Sequence, residues 1–588
     1  MQLTKENINK FFILFNNKKY YEAKSFCLSL IKKFPRHHFV WLALGNVYLQ
    51  NDMLNDALLS FKKSLSIDWY NCETHFNVGL TLYKLGRLKE AEKSYKNTID
   101  IKYDFDLAHT NLANILCEMG RYEEAERYYK NVIKFKPKYP TAYYNLAIFY
   151  LGFKRIEYAK TLFEDVIKLN SNFIQAYYHL SNIYLELGKI EDAKFLLRNI
   201  IELNPDAHEA YFNLGNIFKE ARMWKDAEIN FRTAININKT IPEYYNNLAL
   251  VLEKNGNLKE VLFCYNRALT LNKNFTLAMV NLALNLEFTN NFKEAEILYL
   301  NSLKLDDKIS GYKAAVNLAV IKFTTNDYVS SKKLLSLPFK TRYLESNDCK
   351  SEKIYHSFIL KLLNLKEFQI RKENVTNLIY KKIYVIGESH SLVSNGLKIK
   401  ICNINYFCQS LLIKGCKLWH IGQIKNNRYK TRFNYLFSSI PKSSYLVISL
   451  GEIDCRIDTG FSQISKIFSK KLLNINIENT IKKFFLTICN LNINYNHKIF
   501  IQGVPCPNVE GLSNADMTKL TYIIEKCNHE LRIMSKEMEY EFLDLHKITN
   551  RGDGFSNKKW HIDNYHLTPL GMKKAWQLLN LENFTQEI

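Results

Sequence analysis

The sequence predicts an α-helical solenoid of stacked helix pairs, followed by an α/β domain of three layers with a central sheet between two helical faces. Three observations carry this. A 34-residue period runs through the first half of the chain. From Ile379 the pattern changes to short apolar runs separated by helical stretches. Three polar blocks fall directly after such runs or just before the last helical stretch: Gly387-Glu388-Ser389-His390, Gly451-Glu452-Ile453-Asp454 and Asp563-Asn564-Tyr565-His566.

At 588 residues the chain exceeds one ordinary domain. A hydrophobic content of 47% supplies packed cores and excludes a disordered protein. No run of about 18 apolar residues is present, so no membrane helix is expected. The segment Met1–Lys10 is polar and lacks the apolar stretch of a secretory signal. The twelve cysteines are scattered and show no C-x-x-C, which suits reduced thiols and neither a disulfide framework nor a zinc site. A cytoplasmic protein without metal or other cofactor is expected. The net charge of +23 is spread along the chain instead of forming a stripe, so it reads as solvated faces and not as a specific nucleic-acid surface.

The first half justifies the solenoid. Ala57, Ala91, Ala125, Ala159, Ala193 and Ala227 each follow the previous one by 34 residues, and the series extends back to Ala23 and on through Val261 to Ala295. Gly86, Gly120, Gly188 and Gly256 keep the register, as do the aromatics Tyr95, Tyr129, Phe163, Phe231, Tyr265 and Tyr299. Small residues at fixed places let paired helices approach, and the aromatics fill the groove between successive pairs. Ten units are expected, starting near Thr4, His38, Cys72, Asp106, Pro140, Ile174, His208, Pro242, Thr276 and Ser310, with degenerate first and last units. The array spans 4–343 and a helical linker 344–378.

With segments such as Gly120-Arg121-Tyr122-Glu123-Glu124-Ala125-Glu126 and Ala142-Tyr143-Tyr144-Asn145-Leu146-Ala147, the array resembles the tetratricopeptide repeat (TPR), whose helix pairs form a superhelix. Asn77, Asn111, Asn145, Asn213, Asn247 and Asn281 share one register on the first helix of each unit, with His179 in the missing rung. A column of amides can bond the backbone of an extended peptide without reading its side chains. The column resembles the asparagine ladder of the O-linked N-acetylglucosamine transferases, which implies a protein or extended-peptide partner in the concave face. It also fits a chain rich in asparagine. The glycosyltransferase itself is not expected, since the remaining 210 or so residues carry different motifs.

Residues 379–588 justify the α/β domain. Apolar runs at Ile383–Ile386, Tyr406–Cys408, Leu446–Leu450, Ile499–Ile501 and Phe542–Leu543 read as strands, with helices over Ile477–Leu491 and Met517–Lys536. Strands alternating with helices argue for a parallel sheet covered on both faces, with the active site at the carboxyl ends of its strands. Serine, histidine and aspartate are what an activated hydroxyl needs: the imidazole takes the proton and the carboxylate holds the imidazole in its tautomer.

In block order and spacing the domain resembles the SGNH hydrolases, related to the GDSL esterases and lipases, with a flavodoxin-like three-layer fold. The resemblance rests on Gly387-Glu388-Ser389, Gly451-Glu452-Ile453-Asp454 and Asp563-Asn564-Tyr565-His566-Leu567-Thr568, with Gly571 beyond. It implies Ser389 as nucleophile, His566 as general base and then acid, and Asp563 as its orienting partner. It also implies oxyanion donors at the backbone N–H groups of Ser389 and Gly422. Two residues depart from the family pattern. Glu388 replaces an aspartate, and Ile453 replaces the asparagine whose amide helps bind the oxyanion. Arg456 and His390 are the expected substitutes.

The expected function is a TPR-scaffolded serine esterase or acyltransferase acting on a small acyl ester, with a carbohydrate or glycosylated partner as the bearer of the acyl group. The alternative is a non-catalytic adaptor that keeps a degenerate hydrolase fold for protein binding. A glycosyl-transfer reading would need sugar-nucleotide binding, for which the chain shows no motif.

Overall fold

The computed structural model describes residues 3–255, 257–289, 291–305, 308–338, 349–365, 380–401, 404–423, 427–451, 455, 461, 470–507, 513–552, 556–558, 561, 563 and 566–577. The chain divides into two compact units, Met1–Ile217 and Phe218–Ile588. Among the described residues no helix is long and apolar enough to cross a membrane.

In the first unit the 34-residue period becomes antiparallel helix pairs such as Cys72–Lys84 with Leu88–Ile101, and Asp106–Glu118 with Tyr122–Phe135. The repeated alanines Ala57, Ala91, Ala125, Ala159 and Ala193 are all fully buried, as close helix approach requires. A Cβ added at Gly79 would meet the Tyr95 ring at 2.7 Å, so glycine and aromatic interlock across one pair. Each pair turns on one residue with left-handed backbone. Gly86, Gly120 and Gly188 take φ of +73°, +77° and +71° there. Asp52 and Lys154, in the same register, take +58° and +56° although they carry a Cβ.

The second unit begins within the repeats. Its helix pairs run to Tyr328–Leu335, and Phe231, Tyr265 and Tyr299 are fully buried in them. The helix Lys350–Asn364 follows. It lies within the segment expected to be a linker, yet Tyr355, Phe358, Ile359 and Leu362 share one core with Tyr312, Val316 and Phe323 of the last repeat and with Ile383 and Val385 of the sheet.

Six strands form that sheet: β1 (Lys381–Gly387), β2 (Lys398–Ile401), β3 (Ile404–Leu412), β4 (Tyr445–Ser449), β5 (Lys498–Gln502) and β6 (Glu541–Leu543), in the order β2-β3-β1-β4-β5-β6. All neighbours are parallel except the edge strand β2, which pairs antiparallel with β3. The short lysine-rich β2 was not foreseen from its pattern, and it makes the sheet mixed. Strands buried on both faces read as continuous apolar runs because alternate residues enter different cores. Ile383, Val385, Val447 and Phe500 face the core shared with Lys350–Asn364. Ile386, Leu446, Ile448, Ile499 and Ile501 face the helices Arg428–Ser439, Lys470–Asn492 and Asn514–Glu537.

Strand β1 lies between β3 and β4, so the chain leaves it to one side and later returns on the other. Open α/β sheets hold their crevice at that reversal, beyond the carboxyl ends of the strands. Gly387-Glu388-Ser389 and Leu450-Gly451 stand at that end of β1 and β4.

Candidate active site

Ser389 opens the short helix Ser389–Ser394 directly after β1. The β1 residue before that turn must be small: Gly387 pairs with Ser449 of β4, and an added Cβ would overlap the Ser449 carbonyl oxygen and lie 2.9 Å from its Cβ. Ser449 O accepts from the Glu388 N–H at 3.3 Å, which ties the turn to β4.

The structure brings Ser389, His566 and Asp563 together across 177 residues of sequence. Ser389 Oγ is 2.8 Å from His566 Nε2. His566 Nδ1 is 2.9 Å from both carboxylate oxygens of Asp563, and the His566 backbone N–H donates to Asp563 Oδ1 at 2.8 Å. The Asp563 carboxylate thus orients His566 through side chain and backbone at once. The same chain of contacts is what deprotonation of a serine requires.

Glu388 adds a contact the motif did not announce. Its Oε2 accepts from both the backbone N–H and the hydroxyl of Ser389. The hydroxyl has one proton and two acceptors in reach, Glu388 and His566. The Ser389 N–H, expected to serve an oxyanion, is occupied by this carboxylate. Oε1 of Glu388 accepts from the Tyr355 hydroxyl at 2.6 Å and from the Gly415 N–H at 3.4 Å.

The helix Lys350–Asn364 closes the site. Phe358 stacks on the His566 ring with centroids 3.9 Å apart and 27° between planes. Ser389 and His566 are each only 2% exposed. His390 stands 4.8 Å from His566, ring to ring, and shares a small cleft with Glu388, Ser449, Gly451 and Gln502. Tyr355 and Phe358 were not legible in the sequence, because a lone aromatic on a helix carries no motif.

Gly422 ends the helix Leu418–Gly422 with its Cα face against Lys483 and Phe484, 3.1 and 3.2 Å from an added Cβ. Arg456 and Ile453 lie outside the described residues. Nearby, burial pushes His420 and His561 down to about 4.

The ladder residues Asn77, Asn111, Asn145, Asn213, Asn247 and Asn281 are all half-buried. Several already bond within the array. Asn77 donates to Asn46 at 2.9 Å, Asn111 to the Tyr95 hydroxyl at 3.3 Å and Asn281 to Asn246 at 3.1 Å. His179 stacks on Phe163 at 5.2 Å and 8°.

Models of the tetratricopeptide repeat match residues 73–105, 151–216 and 242–275, and a TPR repeat model matches 113–152. No curated protein matches the chain. Among solved structures the chain is similar to pilF of Pseudomonas aeruginosa at 19% identity, over 35% of this chain and 94% of that one, with a TM-score of 0.31. It is similar to MamA at 19% identity, over 29% of this chain and 97% of that one, with a TM-score of 0.26. Yeast Tom70 is similar at 16% identity, over 63% of this chain and 96% of that one, with a TM-score of 0.33. The four family matches fall on the helix pairs described above and show tetratricopeptide repeats within residues 73–275.

Proposed function

We propose that the α/β domain is a serine esterase or acyltransferase of the SGNH type, carried on a repeat array that binds a protein or extended peptide. The observation that supports it is the continuous contact Ser389–His566–Asp563, at 2.8 and 2.9 Å, at the carboxyl end of β1. Ser389 attacks the carbonyl of a small acyl ester, His566 takes its proton and returns it to the leaving alcohol, and water or a second alcohol then accepts the acyl group. A carbohydrate or a glycosylated partner is the proposed bearer of the ester. The proposed compartment is the cytoplasm.

A second reading draws support from one feature: Ser389 and His566 are 2% exposed beneath Phe358, as in a fold kept for protein binding instead of catalysis. Turnover of p-nitrophenyl acetate separates the two. The esterase reading expects release of p-nitrophenol that disappears in Ser389→Ala and falls sharply in His566→Ala. Equal background rates in all three proteins would leave the adaptor.

A further inference from the structure

The proposed reaction needs donors aimed at the oxygen that gains charge. The Ser389 N–H is taken by Glu388, and residue 453 is an isoleucine where the resemblance expects a donor amide. A different pair stands at the strand ends. Side chains alternate between the two cores along each strand, so Gly387, Ser449 and Gln502 follow Val385, Val447 and Phe500 onto one face. That face is the one covered by Phe358, which stacks on His566. Gly387 pairs with Ser449, and Ile448 pairs with Ile501, so Ser449 and Gln502 are neighbours across β4 and β5.

The row has an unusual chemistry. Ser449 is 2% and Gln502 3% exposed. Ser449 Oγ and Gln502 Oε1 are fully covered, and neither has a hydrogen-bond partner among the described residues. Both side chains line the cleft that also holds Glu388, His390 and Gly451. An unsatisfied buried polar group costs about 1–3 kcal/mol, so two in one cleft with Glu388 and His390, the residues flanking Ser389, call for a ligand atom. Gly387 lacks the Cβ that would fill the space between Ser449 and the turn to Ser389.

We propose that Ser449 and Gln502 form the oxyanion seat of this site. The inference rests on the esterase reading above. The Ser449 hydroxyl donates to the substrate's carbonyl oxygen. Gln502 donates from its amide nitrogen, which half a turn of the side-chain amide brings to the place of Oε1. As Ser389 Oγ bonds to the carbonyl carbon, its proton passes to His566 Nε2 and the carbonyl π pair moves onto the oxygen, where both donors meet it. When the pair returns, the bond to the leaving alcohol breaks and the alcohol takes the proton from His566. Ser449 and Gln502 thereby act where the family asparagine would.

The test compares wild type, Ser449→Ala, Gln502→Met and Ser449→Thr for kcat and KM on p-nitrophenyl acetate, with fluorophosphonate labelling and denaturation midpoints alongside. Loss of one oxyanion donor lowers kcat about 10²–10³-fold in serine enzymes. The expected result is that loss in Ser449→Ala and Gln502→Met, with KM within about twofold. Denaturation midpoints hold or rise in Ser449→Ala and Gln502→Met, since each removes a buried polar atom that has no partner among the described residues. Ser449→Thr keeps the hydroxyl and recovers most of the rate. Unchanged kcat in both variants, a loss confined to KM, or an equal loss in Ser449→Thr overturns the seat. Wild type that neither labels nor turns over overturns the esterase reading itself, and the seat with it.

Discussion

Replacing Gly387 by alanine perturbs the geometry of the site without altering Ser389, His566 or Asp563 themselves. The added Cβ would overlap Ser449 O and lie 2.9 Å from Ser449 Cβ. Carbon atoms rest at about 3.5–4.0 Å, so β1 and β4 must part by about 1 Å at this pair. The contact is with backbone, which no rotamer change relieves. Overpacking of this kind costs about 1–3 kcal/mol. The displacement also lengthens the Glu388 N–H to Ser449 O bond, now 3.3 Å, and carries Ser389 with it. Ser389 Oγ to His566 Nε2 at 2.8 Å has less than about 1 Å to spare before the hydrogen bond is lost. A misplacement of about 1 Å costs on the order of 10²-fold in rate. Urea denaturation followed by tryptophan fluorescence, together with the rate of fluorophosphonate labelling, reads both effects. A Gly387→Ala protein of wild-type stability and labelling rate would refute the claim that the β1–β4 approach sets the nucleophile's position.

Three further outcomes are expected. Lys154 holds φ +56° at a turn where Gly86, Gly120 and Gly188 stand in other repeats, so Lys154→Gly should raise the denaturation midpoint by the equivalent of about 0.5–1 kcal/mol; a lower midpoint would contradict the strain argument. Tyr355→Phe removes the 2.6 Å bond to the buried Glu388 carboxylate and should cost about 1.5–3 kcal/mol in the same assay, whereas no change would show that the bond contributes nothing. His420 and His561 are held neutral by burial, down to about 4, so the folded state binds fewer protons than the unfolded one below an ordinary histidine value of about 6.5. Stability should therefore be intact near neutrality and fall as pH drops from about 6.5 to 4, by on the order of 3 kcal/mol per histidine. Denaturation curves of His420→Gln across that range should fall less steeply than wild type, and parallel curves would sink the assignment.

Repetition made the helical half legible. Ala91, Gly86 and Tyr95 each recur 34 residues later, so every buried contact is announced several times over. The strands were legible because Ile383–Ile386 and Ile499–Ile501 are apolar on both faces. Asp563 and His566 were legible because they stand only three positions apart in the sequence. What stayed hidden depends on packing between distant segments. Tyr355 and Phe358 reach Glu388 and His566 from a helix whose sequence reads only as amphipathic. In sequence Glu388 only replaces an aspartate, yet its carboxylate occupies the amide and hydroxyl of Ser389. Ser449 and Gln502 end apolar strands and look like edge polarity until the register of β1, β4 and β5 places them in one row.

The central claim is that Ser389 is an activated hydroxyl. The most direct measurement is fluorophosphonate labelling of the full chain, with the adduct mapped by peptide mass spectrometry and Ser389→Ala and Asp563→Asn treated in parallel. The account predicts one adduct, on Ser389, absent from Ser389→Ala and strongly slowed in Asp563→Asn. No adduct on the wild-type chain, or an adduct on another residue that persists in Ser389→Ala, would contradict it.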